Sequence, residues 1–250
     1  IVQLMKKINL KHVWSVSPDT FRKLPFFDRL RLQPIKENHP DWYKKASREI
    51  DGKSDFTLKM CPSTTNFLNK GFVVQNPTDI WVIRNDSGEV KIETSIENNE
   101  HIQIHGTDQF GNDYPFEEGF MNISFKFKSY WQVQPDKPTS VMFLPCWWHP
   151  CHNYIRAYHG LIDWKKTERV NFYSINTKIR LPEAGQSFKI LAGVPIAQLL
   201  FVDVNEVFIQ DDLPDFYSTS EHELYDQATA RHSKKYMEFL KSYICGGKRD

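Results

Sequence analysis

Hydrophobic and polar residues alternate most regularly in the segment that begins at Met121. The apolar positions are Met121, Ile123, Phe125 and Phe127, and the polar positions are Asn122, Ser124, Lys126 and Lys128. A period of two is typical of a strand that has one face in the core and the other in water. We therefore expect the four apolar side chains to be buried on one side of a strand.

Shorter apolar runs on both sides of this segment also have the length and composition of strands. They occupy residues 72–74, 80–83, 90–94, 141–144, 170–175, 188–191 and 196–204. Residues 85–88 have the sequence Asn-Asp-Ser-Gly, which is a turn signal, and they predict a β-hairpin between two of these runs. The pattern therefore predicts strands as far as roughly residue 210.

Two segments carry helical signals instead. Residues 63–70 predict a short helix, with Ser63 or Thr64 as its N-cap and Gly71 in the left-handed position after its end. Near the C-terminus, Ser220 and Glu223 form a capping box, which predicts a helix over 221–244. Its apolar stripe consists of Leu224, Ala228, His232, Tyr236, Leu240 and Tyr243.

These elements together predict a mainly β fold, either a β-clip-like or jelly-roll barrel or a sandwich, with the two helices attached. We divide the chain into an extended, loop-rich N-terminal segment (1–55), a β domain (56–210), and a linker with the C-terminal helix (211–250). Four prolines in the first segment prevent a long helix there. A chain of 250 residues is long enough to bury one large core, so we expect one structural domain.

Composition and charge exclude several classes of protein. Lys and Arg number 32 and Asp and Glu 31, so no overall basic charge favours nucleic acid or an anionic membrane. The apolar run 196–202 is far shorter than the roughly 18 residues that span a bilayer. Four cysteines and an N-terminus without a signal-peptide pattern favour a reducing, cytoplasmic compartment over a disulfide scaffold.

The densest group of metal-ligating residue types lies between residues 146 and 152. It contains Cys146, His149, Cys151 and His152, and His159 follows shortly after. Thiolates and imidazoles are ligands of tetrahedral zinc, although known structural sites place two ligand pairs on separate turns. A full zinc site, a partial site completed by His159, a Cys146–Cys151 disulfide and a loop of buried aromatics and thiols all remain open. We expect no bound cofactor. Zinc is the metal ion that the residue types of this segment could hold.

A second candidate site carries a resemblance. The segment Gly160-Leu161-Ile162-Asp163, followed by Gly-Val-Pro-Ile-Ala-Gln at 193–198, resembles the second half of the dUTPase-like β-clip barrel. The resemblance implies that Asp163 lies in the turn that enters a strand and helps to activate an attacking water. Asp163 and His159 are therefore the candidate catalytic residues, and we expect them to lie close together beside an aromatic-lined pocket. The alternative is that Asp163 only accepts backbone hydrogen bonds in its turn. The resemblance also allows a homo-oligomer, because such barrels are often trimers. The chain departs from the family at Lys166, where the family has a stacking Tyr, and it lacks the family's Arg-Ser-Ser phosphate segment and glycine-rich arm.

Further motifs occur in the first half of the β domain. They are Lys59-Met60-Cys61-Pro62, Gly71-Phe72-Val73-Val74 and Asn76-Pro77-Thr78-Asp79-Ile80. With the strand at 193–198, they make residues 55–205 similar to an uncharacterised family of marine tailed-phage and metagenomic proteins. That resemblance implies the cytoplasm of an infected bacterial host and implies no particular activity.

Three functions are therefore open. The first is a non-catalytic module that binds an unknown protein or small molecule, with no nucleic-acid or membrane partner. The second is a nucleotide hydrolase that uses Asp163, and the third is a metal-binding protein that uses the Cys/His segment. The missing stacking Tyr and phosphate donors favour the first, because a polyphosphate needs cations or backbone amides to neutralise it.

Overall fold

The computed structural model describes residues 7–14, 32–49, 57–95, 102–106, 114–164, 172–202, 204 and 206–216. Within these ranges the chain forms fourteen strands in three sheets, so the predicted mainly β fold class is confirmed. The described helices are α1 (Asp41–Lys45) and α2 (Pro62–Asn69), and 3₁₀ turns occur at Ile35–Glu37 and Pro150–Asn153. The helix predicted over 221–244 lies outside the described residues.

The largest sheet has six strands. They are β1 (Lys7–Trp14), β6 (Ile102–His105), β7 (Ser124–Pro135), β9 (Ile155–Ala157), β11 (Phe172–Ile179) and β14 (Glu206–Phe216). Their order is β14-β1-β7-β11-β9, and β6 also pairs with β7. The pairs are antiparallel except for β1 and β14, which run parallel.

Two smaller sheets complete the fold. The five-stranded sheet contains β2 (Gln33–Pro34), β3 (Phe72–Gln75), β8 (Thr139–Leu144), β10 (Gly160–Trp164) and β13 (Pro195–Val202), in the order β10-β8-β13-β3-β2. The three-stranded sheet contains β4 (Ile80–Arg84), β5 (Val90–Thr94) and β12 (Ser187–Ile190), in the order β12-β4-β5. The predicted hairpin at 80–94 is the β4–β5 pair and is confirmed.

The main core lies between the sheets and draws apolar side chains from all three of them, as in a β sandwich. Met121, Phe125 and Phe127 are buried in it, as predicted, whereas Ile123 is only half-buried against it. The strand itself begins at Ser124, and the first two apolar residues lie in the turn before it. Burial therefore follows the alternation beyond the hydrogen-bonded strand.

Helix α2 begins one residue earlier than predicted. Pro62 occupies the first helical position, which suits its fixed φ angle, and Cys61 is the N-cap. Ser63 and Thr64 therefore lie inside the helix, and the prediction that one of them caps it was wrong. The prediction for Gly71 was right, because its φ is +87° and a Cβ there would lie 2.1 Å from the Leu199 carbonyl oxygen.

Both ends of the described chain contribute to the sheets. Strand β1, from the segment predicted as loop-rich, lies between β14 and β7, and β2 extends the five-stranded sheet beside β3. Strand β14 continues to Phe216, past the boundary predicted at residue 210. The β domain thus includes parts of the predicted N-terminal segment and linker.

The described residues include no helix that is both long and apolar enough to cross a membrane.

Replacing Phe125 with Ala should lower the free energy of unfolding by about 3–5 kcal/mol, because the ring is fully buried and its removal leaves a cavity. Chemical denaturation measures the change. The matched control is Phe208→Ala, since Phe208 is 49% exposed and should cost less than about 1 kcal/mol. Equal losses in the two variants would contradict the core assigned here.

Candidate functional site

The two cysteines of the Cys/His segment are buried in different parts of the core. Cys151 belongs to the main core, where its Sγ donates a hydrogen bond to the Pro195 carbonyl oxygen at 2.9 Å. Cys146 belongs to a second cluster, beside Trp148. Burial raises the pKa of Cys151 to about 12 and the pKa of Cys146 well above its usual value, so both thiols are protonated at neutral pH.

The histidines of this segment have separate environments. The Nδ1 atom of His149 accepts a hydrogen bond from the backbone N–H of Cys151 at 3.1 Å, which caps the 3₁₀ turn. His152 is half-buried, and burial lowers its pKa, with Arg156 nearby acting in the same direction. In the part of the chain that the structure describes, no group of three or more His, Cys, Asp or Glu side chains is arranged to hold a metal ion.

A buried glutamine holds the Cys/His segment against the five-stranded sheet. Gln198, on β13, accepts a hydrogen bond from Trp148 Nε1 at 2.9 Å through its Oε1 atom. Its Nε2 atom donates to the carbonyl oxygens of Phe67 and Lys70, at 3.2 and 3.3 Å, near the end of α2. The end of a helix leaves carbonyl groups without a full set of intrahelical partners, and Gln198 supplies a donor to two carbonyl groups at this end. Trp148 and Gln198 therefore support the fold.

Asp163 lies within strand β10, at the edge of the five-stranded sheet, rather than in the turn predicted for it. It is exposed, and its carboxylate accepts a hydrogen bond from Ser140 Oγ, which lies opposite it on β8. His159 precedes the strand and is also exposed. Three residues lie between them, and four steps of extended chain span roughly 13 Å, so the backbone does not bring the two predicted catalytic residues into direct contact.

The structure brings together a group of charged side chains that sequence reasoning missed. Glu117 forms ion pairs with both Arg156, on β9, and Lys178, on β11. Both cations also lie over the ring of Phe120, with the Arg156 guanidinium carbon at 4.4 Å and Lys178 Nζ at 5.2 Å from its centroid. We call these four residues the Glu117 cluster.

Backbone contacts fix the geometry of the Glu117 cluster. Arg156 and Lys178 are directly opposite each other in the antiparallel β9–β11 pair. The loop that carries Glu117 and Phe120 is attached to the end of β11, because the N–H of Leu181 donates to the Gly119 carbonyl at 2.9 Å. Arg156 is further held by a hydrogen bond from its Nε atom to the His152 carbonyl oxygen at 2.8 Å.

The two cations lower the pKa of the carboxylate between them. The hydrogen bond from Lys178 holds the pKa of Glu117 below its usual value, so the carboxylate is ionised at neutral pH. Tyr158 lies two residues after Arg156, and burial together with the neighbouring Tyr114 raises its pKa to about 12. The cluster therefore holds two positive charges and one negative charge beside the neutral Tyr158.

Part of this site could be found from the sequence. Residues 155–158 read Ile-Arg-Ala-Tyr and residues 175–179 read Ile-Asn-Thr-Lys-Ile, so alternation alone places Arg156 and Lys178 on the polar faces of their strands. The pairing of β9 with β11 is a tertiary contact, and no local pattern indicates it. Glu117 and Phe120 come from a separate loop, and no sequence pattern indicates that they join this site.

The partly exposed thiol of Cys61 differs from the buried cysteines. Cys61 caps α2, and its Sγ atom lies 3.0 Å from Ser63 Oγ. This hydrogen bond, followed by weaker contributions from Thr64, lowers the pKa of Cys61 to about 7. Cys61 is therefore partly a thiolate at neutral pH.

No protein-family model and no curated protein matches this chain.

Replacing Gln198 with Leu should lower the free energy of unfolding by about 2–4 kcal/mol, because Trp148 Nε1 and two carbonyl groups lose a buried partner. Urea denaturation followed by tryptophan fluorescence measures the loss. Gln186→Leu is the control, since Gln186 is exposed and should change stability by less than about 0.5 kcal/mol. A Gln198→Leu variant as stable as the wild type would show that these hydrogen bonds contribute nothing.

Cys61 should react with an aromatic disulfide reagent at a rate that rises as pH increases through about 7 and levels off above it, because the thiolate is the nucleophile. Cys146 and Cys151 should react only after unfolding. The measurement uses a Cys245→Ser background, since Cys245 lies outside the described residues, and Cys61→Ser as the control. A midpoint near the ordinary thiol value of about 8.5 would contradict the assigned hydrogen bond.

Proposed function

We propose that the protein is a non-catalytic module that binds a small anionic ligand. The observation that carries this proposal is the Glu117 cluster, in which two cations lie on neighbouring strands against one aromatic ring. Like charges directly opposite each other in a sheet are destabilising by themselves. Because the fold holds these two cations close together, the space between them favours binding of a negatively charged group.

The location of Asp163 supports binding over hydrolysis. Attack on a phosphate requires the group that activates water and the cations that stabilise developing charge to surround the same reacting atoms. Asp163 belongs to the five-stranded sheet, whereas Arg156 and Lys178 belong to the six-stranded sheet. The nearest outward-facing pair on β10 and β8 is Leu161 and Met142, which are exposed and apolar. These surroundings do not suit a polyphosphate.

The sequence resemblances extend the proposal to the biological setting. The protein acts as an accessory protein of a tailed phage, with a β-clip-like arrangement of its strands, in the cytoplasm of an infected bacterium. The motifs at 59–62, 71–74, 76–80 and 193–198 support this assignment. Its ligand is a small molecule that carries an anionic group, and a homo-oligomer is compatible with this function.

Incubation with deoxynucleoside triphosphates and Mg²⁺ should release no phosphate or pyrophosphate above the buffer blank, as measured by a coupled colorimetric assay. The reason is that Asp163 and the paired cations lie in different sheets. Asp163→Asn should behave like the wild type. Turnover by the wild type that disappears in Asp163→Asn would overturn the proposed function and favour a hydrolase.

A further inference from the structure

We propose that the Glu117 cluster is a binding site for the phosphate group of a small phosphorylated ligand, and that Glu117 occupies the phosphate position in the free protein. This inference rests on the proposed binding function and names its site and ligand chemistry.

The two cations form a rigid pair. Arg156 and Lys178 lie opposite each other on β9 and β11, so the strands determine the distance between their backbones. Their side chains are 24% and 21% exposed, so both are restrained by their surroundings and keep some contact with solvent. A guanidinium beside an ammonium can give an oxyanion both a planar pair of donors and a point charge.

The ring of Phe120 packs against both cations. Its ring is buried and lies under both the Arg156 guanidinium and the Lys178 ammonium, at distances where cation–π attraction operates. The two groups are therefore oriented before a ligand arrives, which reduces the entropy lost on binding.

Glu117 shows where an anion fits, and its side chain can be displaced. Its two carboxylate oxygens are shared between Arg156 and Lys178, as two oxygens of a phosphate would be. The Glu117 side chain is 40% exposed and comes from a loop, so a rotamer change can move it away from the strands. With the Glu117 carboxylate alone the cluster has a net charge of +1, whereas a phosphate dianion neutralises both cations.

Polar and aromatic groups beside the cluster can contact the remainder of a ligand. Tyr158 follows Arg156 on the same side of the chain, and its N–H donates to the carbonyl oxygen of Asn176, whose side chain is exposed. The ring centroids of Tyr114 and Tyr158 are 6.3 Å apart, and those of Tyr114 and Phe116 are 4.9 Å apart. Aromatic faces of this kind stack on planar rings, so we expect an aromatic phosphate to bind more tightly than inorganic phosphate.

Isothermal titration calorimetry at low ionic strength and pH 7.5, with inorganic phosphate and with AMP, tests the inference. Both should bind the wild type, and AMP should bind more tightly. The double variant Arg156→Gln/Lys178→Gln should lose at least ~10-fold in affinity for both probes, because each cation provides a charge-assisted hydrogen bond. Lys91→Gln is the matched control, since Lys91 forms an exposed ion pair with Glu93 in the three-stranded sheet, and it should bind like the wild type.

Glu117→Gln keeps the test informative even if the double variant folds poorly. Removing the competing carboxylate should strengthen phosphate binding by about threefold to tenfold, and a damaged protein would not produce that gain. Binding that persists in the double variant, or that Glu117→Gln does not strengthen, would overturn this inference, whereas the binding itself would still support an anion-binding function at another site. Nucleotide turnover that requires Asp163 would instead overturn the proposed function.

Discussion

The register of three antiparallel strands, β7, β11 and β9, determines both the core and the candidate site. Phe125, Thr177 and Ala157 lie side by side across these strands and are all buried. Thr177 Oγ1 donates to the Phe125 carbonyl oxygen at 3.0 Å, which satisfies the one polar group in that row. A slip of one residue would reverse every side chain, so the burial of this row fixes the outward direction of Arg156 and Lys178. The paired cations are therefore a consequence of how the core is built.

The most conspicuous motif and the best-supported site are different parts of the molecule. The Cys/His segment stands out in the sequence because its residue types are metal ligands. Its described contacts are nevertheless those of packing: Cys151 donates to Pro195, His149 caps a 3₁₀ turn and Trp148 donates to Gln198. Arg156 and Lys178 are ordinary residues in the sequence and gain their significance from tertiary pairing.

Local patterns were sufficient for the elements that depend on local physics. The alternation at 121–127, the hairpin around 85–88 and the position of Gly71 each follow from side-chain period or backbone conformation, and each was predicted. The N-cap of α2 was misplaced because Pro62 competes for the first helical turn. Two sets of strand pairs join segments that are distant in sequence: β1 pairs with β14 and β7, and β9 pairs with β11. Because no local pattern indicates such pairs, neither the sheet order nor the Glu117 cluster could be predicted.

The central claim is that negative charge binds where β9 and β11 present their paired cations. An NMR titration of ¹⁵N-labelled protein with AMP, followed through the backbone amide resonances, tests it most directly. The account predicts that the largest shifts occur at residues 117–120, 156–158 and 176–178, with saturation at one equivalent. Shifts that instead centre on Ser140 and Asp163, in the five-stranded sheet, would contradict it.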